Sequence, residues 1–385
     1  MLRRFAKQTL QKLRSTDYQT LNWIELSRSR TLHNVSEIQK LHQDWEVIPV
    51  LKGNAYGHGL EEMAEILNGA DCHFVAVDGY FEAAKIRDIT HHRILVMGYI
   101  LPENMHLLDI KHCSFVVQDI AGLRAFGSLK KPVNIHMELN TGFNRLGLQA
   151  DEIEEYLREL KKHTNLRLEG IMTHLADADN PDDDAFTRRQ VEQFDYLVEN
   201  ILKEGFKPSL IHIAQTAGST KAASRFANAL RLGIGLYGIN PLEPGDPHYH
   251  ELANLQPVLT LKSHIIKVID LKKGDRVSYN GTFAAPKSMR IGVLPLGYYE
   301  GIPRELSNKG YVIAGSKVLP IVGRVCMNHT MAAITNKIEM GDEVMIISDN
   351  PAHPNSVAQL HLQYGLFHYQ VLTSISSSVR RQIVA

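Results

Sequence analysis

The chain has 385 residues, 44% of them hydrophobic, enough for one large domain and a smaller one. Lys plus Arg and Asp plus Glu number 42 each, so the composition carries no electrostatic footprint for nucleic acid or an anionic membrane. Cys72, Cys113 and Cys326 are far apart, odd in number and lack C-x-x-C spacing, which argues against a disulfide framework and against structural zinc. No apolar run is long enough to cross a bilayer, and none of signal-peptide length follows Arg3, Arg4 and Lys7. Small-molecule chemistry in the cytoplasm, without a metal, is the expectation.

From about residue 46 to 238, short Val- and Ile-rich runs alternate with helical stripes. Eight strands are predicted, at 47–52, 74–78, 94–98, 115–118, 133–139, 168–174, 210–214 and 230–235. Leu60, Met63, Ala64 and Leu67 share one helical face, and Gly69 ends that pattern. Ile153, Tyr156, Leu157 and Leu160 form a second stripe, acidic at its front and followed by Lys161 and Lys162, as the helix dipole prefers. Val191, Phe194, Leu197, Val198, Ile201 and Leu202 form a third, closed by Gly205.

Strands alternating with helices predict a parallel sheet. Eight such units in about 200 residues predict an α/β fold of the (β/α)8 TIM-barrel type. An open doubly wound sheet is the competitor, weakened because no G-x-G-x-x-G follows the first strand. Residues 241–250, with three prolines and Gly245-Asp246, read as a linker. Beyond it, 258–269 and 290–296 read as strands. Turns at 273–275 and 340–342 lead into further strand runs at 276–279 and 343–347. Long helical stripes are scarce, so a second, mostly antiparallel β domain is expected. The division falls at residues 20–247 and 248–385, with segment 1–19 a candidate to pack on the second domain.

In such a barrel the chemistry sits at the C-terminal ends of the strands. The first strand ends in Lys52. A lysine closing an apolar strand is costly to bury unless paired or used, and desolvation frees its amine as a nucleophile. For this residue alone, a side chain that snorkels to the rim is an equal reading. The sixth strand ends in His174, the seventh leads to Gln215-Thr216-Ala217-Gly218, and the eighth carries Arg231-Leu232-Gly233-Ile234. Loops after strands seven and eight often bind phosphate in barrels. Thr216, Gly233 and Ile234 are placed to cradle one, and Tyr56 to reach the same group. A lone Gly or Thr is usually only a turn residue; the signal is the convergence of these loops on one mouth. A phosphate site beside a buried lysine predicts pyridoxal 5′-phosphate (PLP) on Lys52. Arg231 is then the partner of the pyridine nitrogen. An arginine gives up no proton, so the ring stays neutral, which limits side reactions such as transamination.

These residues resemble the alanine racemases, PLP-dependent enzymes of fold type III. The stretch Lys52-Gly53-Asn54-Ala55-Tyr56-Gly57-His58-Gly59 is similar to the family's PLP-lysine motif. Thr141-Gly142-Phe143-Asn144-Arg145-Leu146-Gly147 resembles T-G-x-x-R-x-G, and Gly170-Ile171-Met172-Thr173-His174 resembles G-x-x-T-H. The arginine and phosphate loop at 231–238, Val277-Ser278-Tyr279, Gly297-Tyr298, Gly323-Arg324-Val325-Cys326-Met327 and a late Tyr369 follow in order along nearly the whole chain. The resemblance implies a barrel followed by a β domain in a head-to-tail homodimer with shared active sites. It implies two bases, Lys52 of one chain and Tyr279 of the other, acting on opposite faces of the substrate α-carbon. A free tyrosine is a weak base, so Tyr279 needs a cationic or hydrogen-bonding environment, expected from His174 and Arg231. Arg145 and the Met327 backbone are implied to hold the substrate carboxylate. Tyr298 and Tyr369 are implied to narrow the entrance or complete the phosphate shell. Use of D-alanine for peptidoglycan follows from the same resemblance.

Several positions depart from the family pattern. Glu138 stands where a carbamylated lysine is usual, and it is expected to pair with Arg145. Gln215-Thr216 replaces Asn-Ser, Asn328 and Asn140 replace Asp, Glu300 replaces Asp, and Gln370 replaces Glu. These changes bear on substrate range. A racemase of broader specificity is one alternative. A decarboxylase of the same barrel type is another, but it would need an acid near the pyridine nitrogen, where Arg231 stands. A non-catalytic PLP-binding protein is the third, against which the β domain carrying Tyr279 speaks.

Overall fold

The computed structural model describes residues 19–385. The chain divides into two compact units. One comprises Leu26–Leu259, Asp349–Ser377 and Ile383–Ala385; the other comprises, of the described residues, 19–25, Thr260–Ser348 and Ser378–Gln382. The packing expected of segment 1–19 falls outside the described residues.

Strand β1 (Trp23–Ser27) belongs to the second unit's main sheet and is taken with it below. The first unit is built on eight parallel strands: β2 (Glu46–Pro49), β3 (Phe74–Val77), β4 (Arg93–Val96), β5 (Cys113–Val117), β6 (Val133–Glu138), β7 (Leu166–Met172), β8 (Leu210–Ala214) and β9 (Ala229–Leu232). Their order is β2-β9-β8-β7-β6-β5-β4-β3. The ends of this row meet through one bridge, Val50 to Ala76, and the Leu51 amide donating to the Ala76 carbonyl at 2.7 Å. The barrel is therefore nearly closed, with a short seam. Pro49 explains the seam. The Val50 amide donates to Leu232 on β9 and the Leu51 amide to β3, so position 49 would address β3 and has no N–H to offer.

The expected barrel is the one observed. Several strands stop earlier than predicted. Lys52 and His174 lie just past the ends of β2 and β7 and line the cavity at the mouth. Helices follow the strands as the stripes predict, among them Leu60–Leu67, Ile153–Leu160 and Ala185–Lys203. Each buries its apolar face; Met63, Ala64, Phe194, Val198 and Ile201 are fully buried.

The expected border at 247–248 lies later, at 259–260. Long-range hydrogen bonds draw residues 248–259 onto the barrel unit. Asn34 exchanges bonds with Gln256 (2.8 and 2.9 Å), and the Val258 amide donates to Tyr237. The two late helices, Val357–Tyr364 and His368–Thr373, also belong to the barrel unit. The Leu372 carbonyl packs so closely on Gly57 that a Cβ there would lie 2.0 Å from it.

The second unit is the expected β domain. A six-stranded sheet runs β16-β15-β18-β10-β1-β19, where β10 is Leu259–His264, β15 Tyr311–Ala314, β16 Lys317–Pro320, β18 Glu343–Ile347 and β19 Arg380–Val384. A three-stranded sheet joins β11 (Lys267–Leu271), β14 (Met289–Leu294) and β17 (Thr330–Ile334), and a small ribbon pairs β12 (Arg276–Val277) with β13 (Phe283–Ala284). The pairs β10–β18, β15–β16, β11–β14, β14–β17 and β12–β13 are antiparallel. The strand predicted at 258–269 is two strands. At Ile265 the chain pairs with the 341–342 turn instead and switches sheets.

Candidate active site

The mouth of the barrel begins at Lys52. The residues after it, Gly53 to Gly57, all have φ between +52° and +83° and form a left-handed turn. Left-handed backbone costs about 1–2 kcal/mol per non-glycine residue, here Asn54, Ala55 and Tyr56. Neighbouring groups hold it in place. The Ala55 amide donates to Leu51 at 2.7 Å, and Glu82 accepts the amides of Gly53 (2.8 Å) and Asp78 (3.0 Å). Asn54 Oδ1 accepts the Leu60 amide at 3.0 Å. The turn sets Lys52 and Tyr56 beside one another in the same cavity wall.

That cavity has two lobes, of about 820 and 310 Å³, sharing Lys52, Tyr56, Asp78, His174, Gln215 and Gly233. Thr216, Ile234 and Tyr369 line the larger lobe; Glu138, Arg145 and Arg231 line the smaller. Burial pulls the Lys52 amine below its ordinary range; Asp78 counteracts this, and Arg145 and Arg231 add to it. Burial likewise raises the phenols of Tyr56, to about 12, and of Tyr369. The Tyr56 ring lies 5.0 Å from Tyr237 and 6.0 Å from Tyr369.

Arg231 is 3% exposed and held from several sides. Its Nη1 donates to His212 Nδ1 (2.7 Å) and to the His212 carbonyl (3.0 Å). Its Nη2 donates to the carbonyls of Thr173 (2.6 Å) and Ile213 (3.3 Å) and faces His174 Nδ1 at 3.3 Å. Burial pulls it to about 10, so it stays a cation at neutral pH. Burial first, then Arg231, pushes His174 well below its usual range, so that imidazole is neutral.

Among the polar groups in the wall that have no hydrogen bond among the described residues are the Lys52 amine, the Nε–H of Arg231 and Oε1 of Gln215. At the loops after β8 and β9 the backbone approaches closely. A Cβ on Gly233 would meet the Tyr56 hydroxyl at 3.0 Å, and one on Gly235 would meet Thr216 at 2.6 Å. An amine, a cationic donor and an anion cradle of small residues thus face one space. This donor set fits a ring-bearing phosphate cofactor.

Glu138 does not pair with Arg145. The Arg145 guanidinium lies over the Phe143 ring, 4.3 Å from its centre, and no ion pair joins it to Glu138 among the described residues. Glu138 is buried, and burial raises its carboxyl despite Arg231 and Arg145. The pairing expected from sequence fails because Arg145 is taken up by the aromatic face.

The remaining predicted residues lie on the second unit. Tyr279, Tyr298 and Met327 are exposed, at 67%, 44% and 54%. Local bonds gather them on one face of that unit. Ser278 Oγ donates to the Arg324 carbonyl (2.7 Å), and the amides of Tyr298 and Tyr299 donate to Cys326 and Met327 (3.0 Å each). Two of the substituted positions are partners: Asn328 donates to Glu300 at 2.7 Å, and Glu300 also accepts the Gly297 amide. Sequence reasoning missed Asp78, which lines both lobes, and His212, which holds Arg231. The one signal for His212 was a histidine inside an otherwise apolar strand.

An amine with no hydrogen-bond partner among the described residues, set at the mouth of a (β/α)8 barrel in one cavity with a buried arginine, is the arrangement of a candidate enzyme active site. The described helices include none long and apolar enough to cross a membrane. The alanine racemase N-terminal domain matches residues 26–241, and the alanine racemase C-terminal domain matches 258–383. The alanine racemase of Carboxydothermus hydrogenoformans is 32% identical over 366 residues, 93% of this chain and 98% of the relative. That of Methanococcus maripaludis is 32% identical over 93% and 97%. The crystal structure of alanine racemase from Bacillus anthracis with bound L-Ala-P superposes with a TM-score of 0.86 at 27% identity, over 96% of each chain. The Clostridium difficile 630 enzyme does so with a TM-score of 0.86 at 26% identity, over 96% of this chain and 97% of that one. The chain belongs to the alanine racemase family and is an isomerase.

Proposed function

We propose that this chain is a cytoplasmic alanine racemase that binds PLP through Lys52 and interconverts L- and D-alanine, making D-alanine available for peptidoglycan. The observation that carries this reading is the desolvated Lys52 amine, without a hydrogen-bond partner, in one cavity with the Arg231 Nε–H. PLP, when bound, supplies an electron sink that acidifies the substrate α-carbon.

The protein's residues do the rest. Tyr56, Thr216, Gly233, Ile234 and Tyr369, which line one cavity, would hold the phosphate at the loops after β8 and β9. Arg231 would offer its Nε–H to the ring nitrogen of the cofactor, and as an arginine it would give up no proton there. His174, neutral, braces Arg231. Lys52, with its pKa lowered by burial, exchanges a proton with one face of the α-carbon at neutral pH. Tyr279 of a second copy serves the opposite face, in a head-to-tail homodimer. The exposure of Tyr279, Tyr298 and Met327 on a single chain supports this sharing. Arg145 and the Met327 backbone bind the substrate carboxylate, and Tyr298 narrows the entrance. Two bases on two faces are what inversion requires, because the proton leaves one side and returns on the other.

Chiral analysis of PLP-loaded protein given L-alanine, L-serine and L-lysine separately tests the reading. D-alanine forming fastest is expected. Faster turnover of serine or lysine overturns the substrate assignment. No D-product from any, with PLP bound, overturns racemisation.

A further inference from the structure

TIM-barrel interiors are filled mainly by branched aliphatic side chains. This one carries a continuous polar chain. Arg231 on β9 donates to His212 Nδ1 on β8 at 2.7 Å. His212 Nε2 lies 2.8 Å from His136 Nδ1 on β6, and His136 Nε2 lies 3.3 Å from Glu169 on β7. Glu169 also accepts from Arg93 on β4 and Ser114 on β5. Both imidazoles are 0% exposed and Glu169 is 3% exposed; only Arg93 reaches solvent.

The backbone is adapted to this chain at three points. The β6–β7 register shifts at His136, and the β8–β9 register shifts just after His212; such irregularities re-aim side chains. On β7, between the two histidine strands, stands Gly170, where a Cβ would lie 2.3 Å from the His136 ring. Gly170 has ordinary backbone geometry, so the requirement there is space.

The chemistry of the two ends sets one direction. Arginine can only donate, and an ionised carboxylate can only accept. His212 therefore carries its proton on Nε2 and gives it to His136, which carries its own on Nε2 and gives it to Glu169. A second proton on His136 would leave His212 with an acceptor demanded at both nitrogens, which a neutral imidazole cannot meet. Burial pushes both histidines down. Burial raises Glu169, but bonds from His136, Arg93 and Ser114 outweigh it and hold the carboxyl at about 2.

We propose that His212, His136 and Glu169 are positioning residues for Arg231, acting as a one-way hydrogen-bonded chain that fixes both imidazole tautomers and leaves the Arg231 Nε–H as the single donor turned to the cavity. The role in catalysis rests on the reading of Arg231 given above; the chain itself does not. A core network that served only fold specificity would change stability and leave the cofactor's electronics untouched.

The test is 15N NMR of histidine-labelled, PLP-loaded protein from pH ~6 to ~9, with absorption spectra and kinetics of Gly170→Ala and His136→Phe. Expected in the unsubstituted protein are two neutral rings, each protonated at Nε2, that do not titrate. A ring carrying its proton on Nδ1, or titrating near ~6.5, overturns the chain whether or not the protein racemises anything. In the variants kcat is expected to fall about tenfold with KM for L-alanine little changed, and the absorption maximum of bound PLP to shift. Variants that bind PLP with unchanged spectrum and kcat overturn the positioning role. Should one variant fail to fold, the other and the unsubstituted protein's spectra still decide.

Discussion

Burial governs the histidines. His136, His174 and His212 are pushed down chiefly by desolvation, and His368 falls to about 4 for the same reason, helped by His361. Each is neutral in the folded chain near neutral pH, while the unfolded chain takes up a proton near pH ~6.5. The folded pKa lies below the unfolded one, so stability is lost as pH falls through ~6.5 and down to the folded value. The slope is up to ~1.4 kcal/mol per pH unit for each histidine. The urea midpoint is expected to drop steeply between pH ~7 and ~5.5, and less in His212→Gln. An equal midpoint at both pH values contradicts this account of the core. At the substituted positions residue identity matters less than the partner. Asn140 Oδ1 accepts the amides of Gly142 (3.0 Å) and Asn144 (3.1 Å), a turn that an aspartate would make in the same way.

The element that places the chemistry is the left-handed turn after β2. Lys52 was legible as a lysine closing an apolar strand, and the glycines beside it as loop residues. The handedness was not legible, because Ala55 and Tyr56 disfavour positive φ and only the surrounding bonds impose it. Gly57 is the tightest point, with φ +83° and the Leu372 carbonyl where a Cβ would go. Gly57→Ala is expected to cost at least ~2 kcal/mol in urea or thermal unfolding and to weaken PLP binding, since the helix carrying Tyr369 must move. A variant of unchanged stability would show that the turn is not held as described. The eight strands were legible from period and composition. The polar chain across β6, β7 and β8 was not: period assigns each histidine to a face but cannot say that Glu169 and Arg231 stand at its two ends.

At the scale of the molecule, the two units follow the change in texture along the sequence, but not its border. Residues 349–377 join the barrel unit through contacts made more than a hundred positions away, such as His361 with Glu243 at 2.9 Å and Leu372 with Gly57. No local pattern encodes such contacts. Tyr279, Tyr298 and Met327 gather on an exposed face of the β unit, which is what the proposed sharing of active sites between two copies requires. If Lys52 and Tyr279 are the two bases and come from different chains, a mixed dimer separates them in a defined way. Lys52→Ala and Tyr279→Phe are each expected to be nearly inactive. Coexpressed, they form mixed dimers in which one site carries both changes and the other neither. Alanine racemisation recovering to about a quarter of the unsubstituted level is the predicted result, as random pairing of a symmetric dimer requires. No recovery from mixed dimers that have been isolated and loaded with PLP would contradict the shared two-base site.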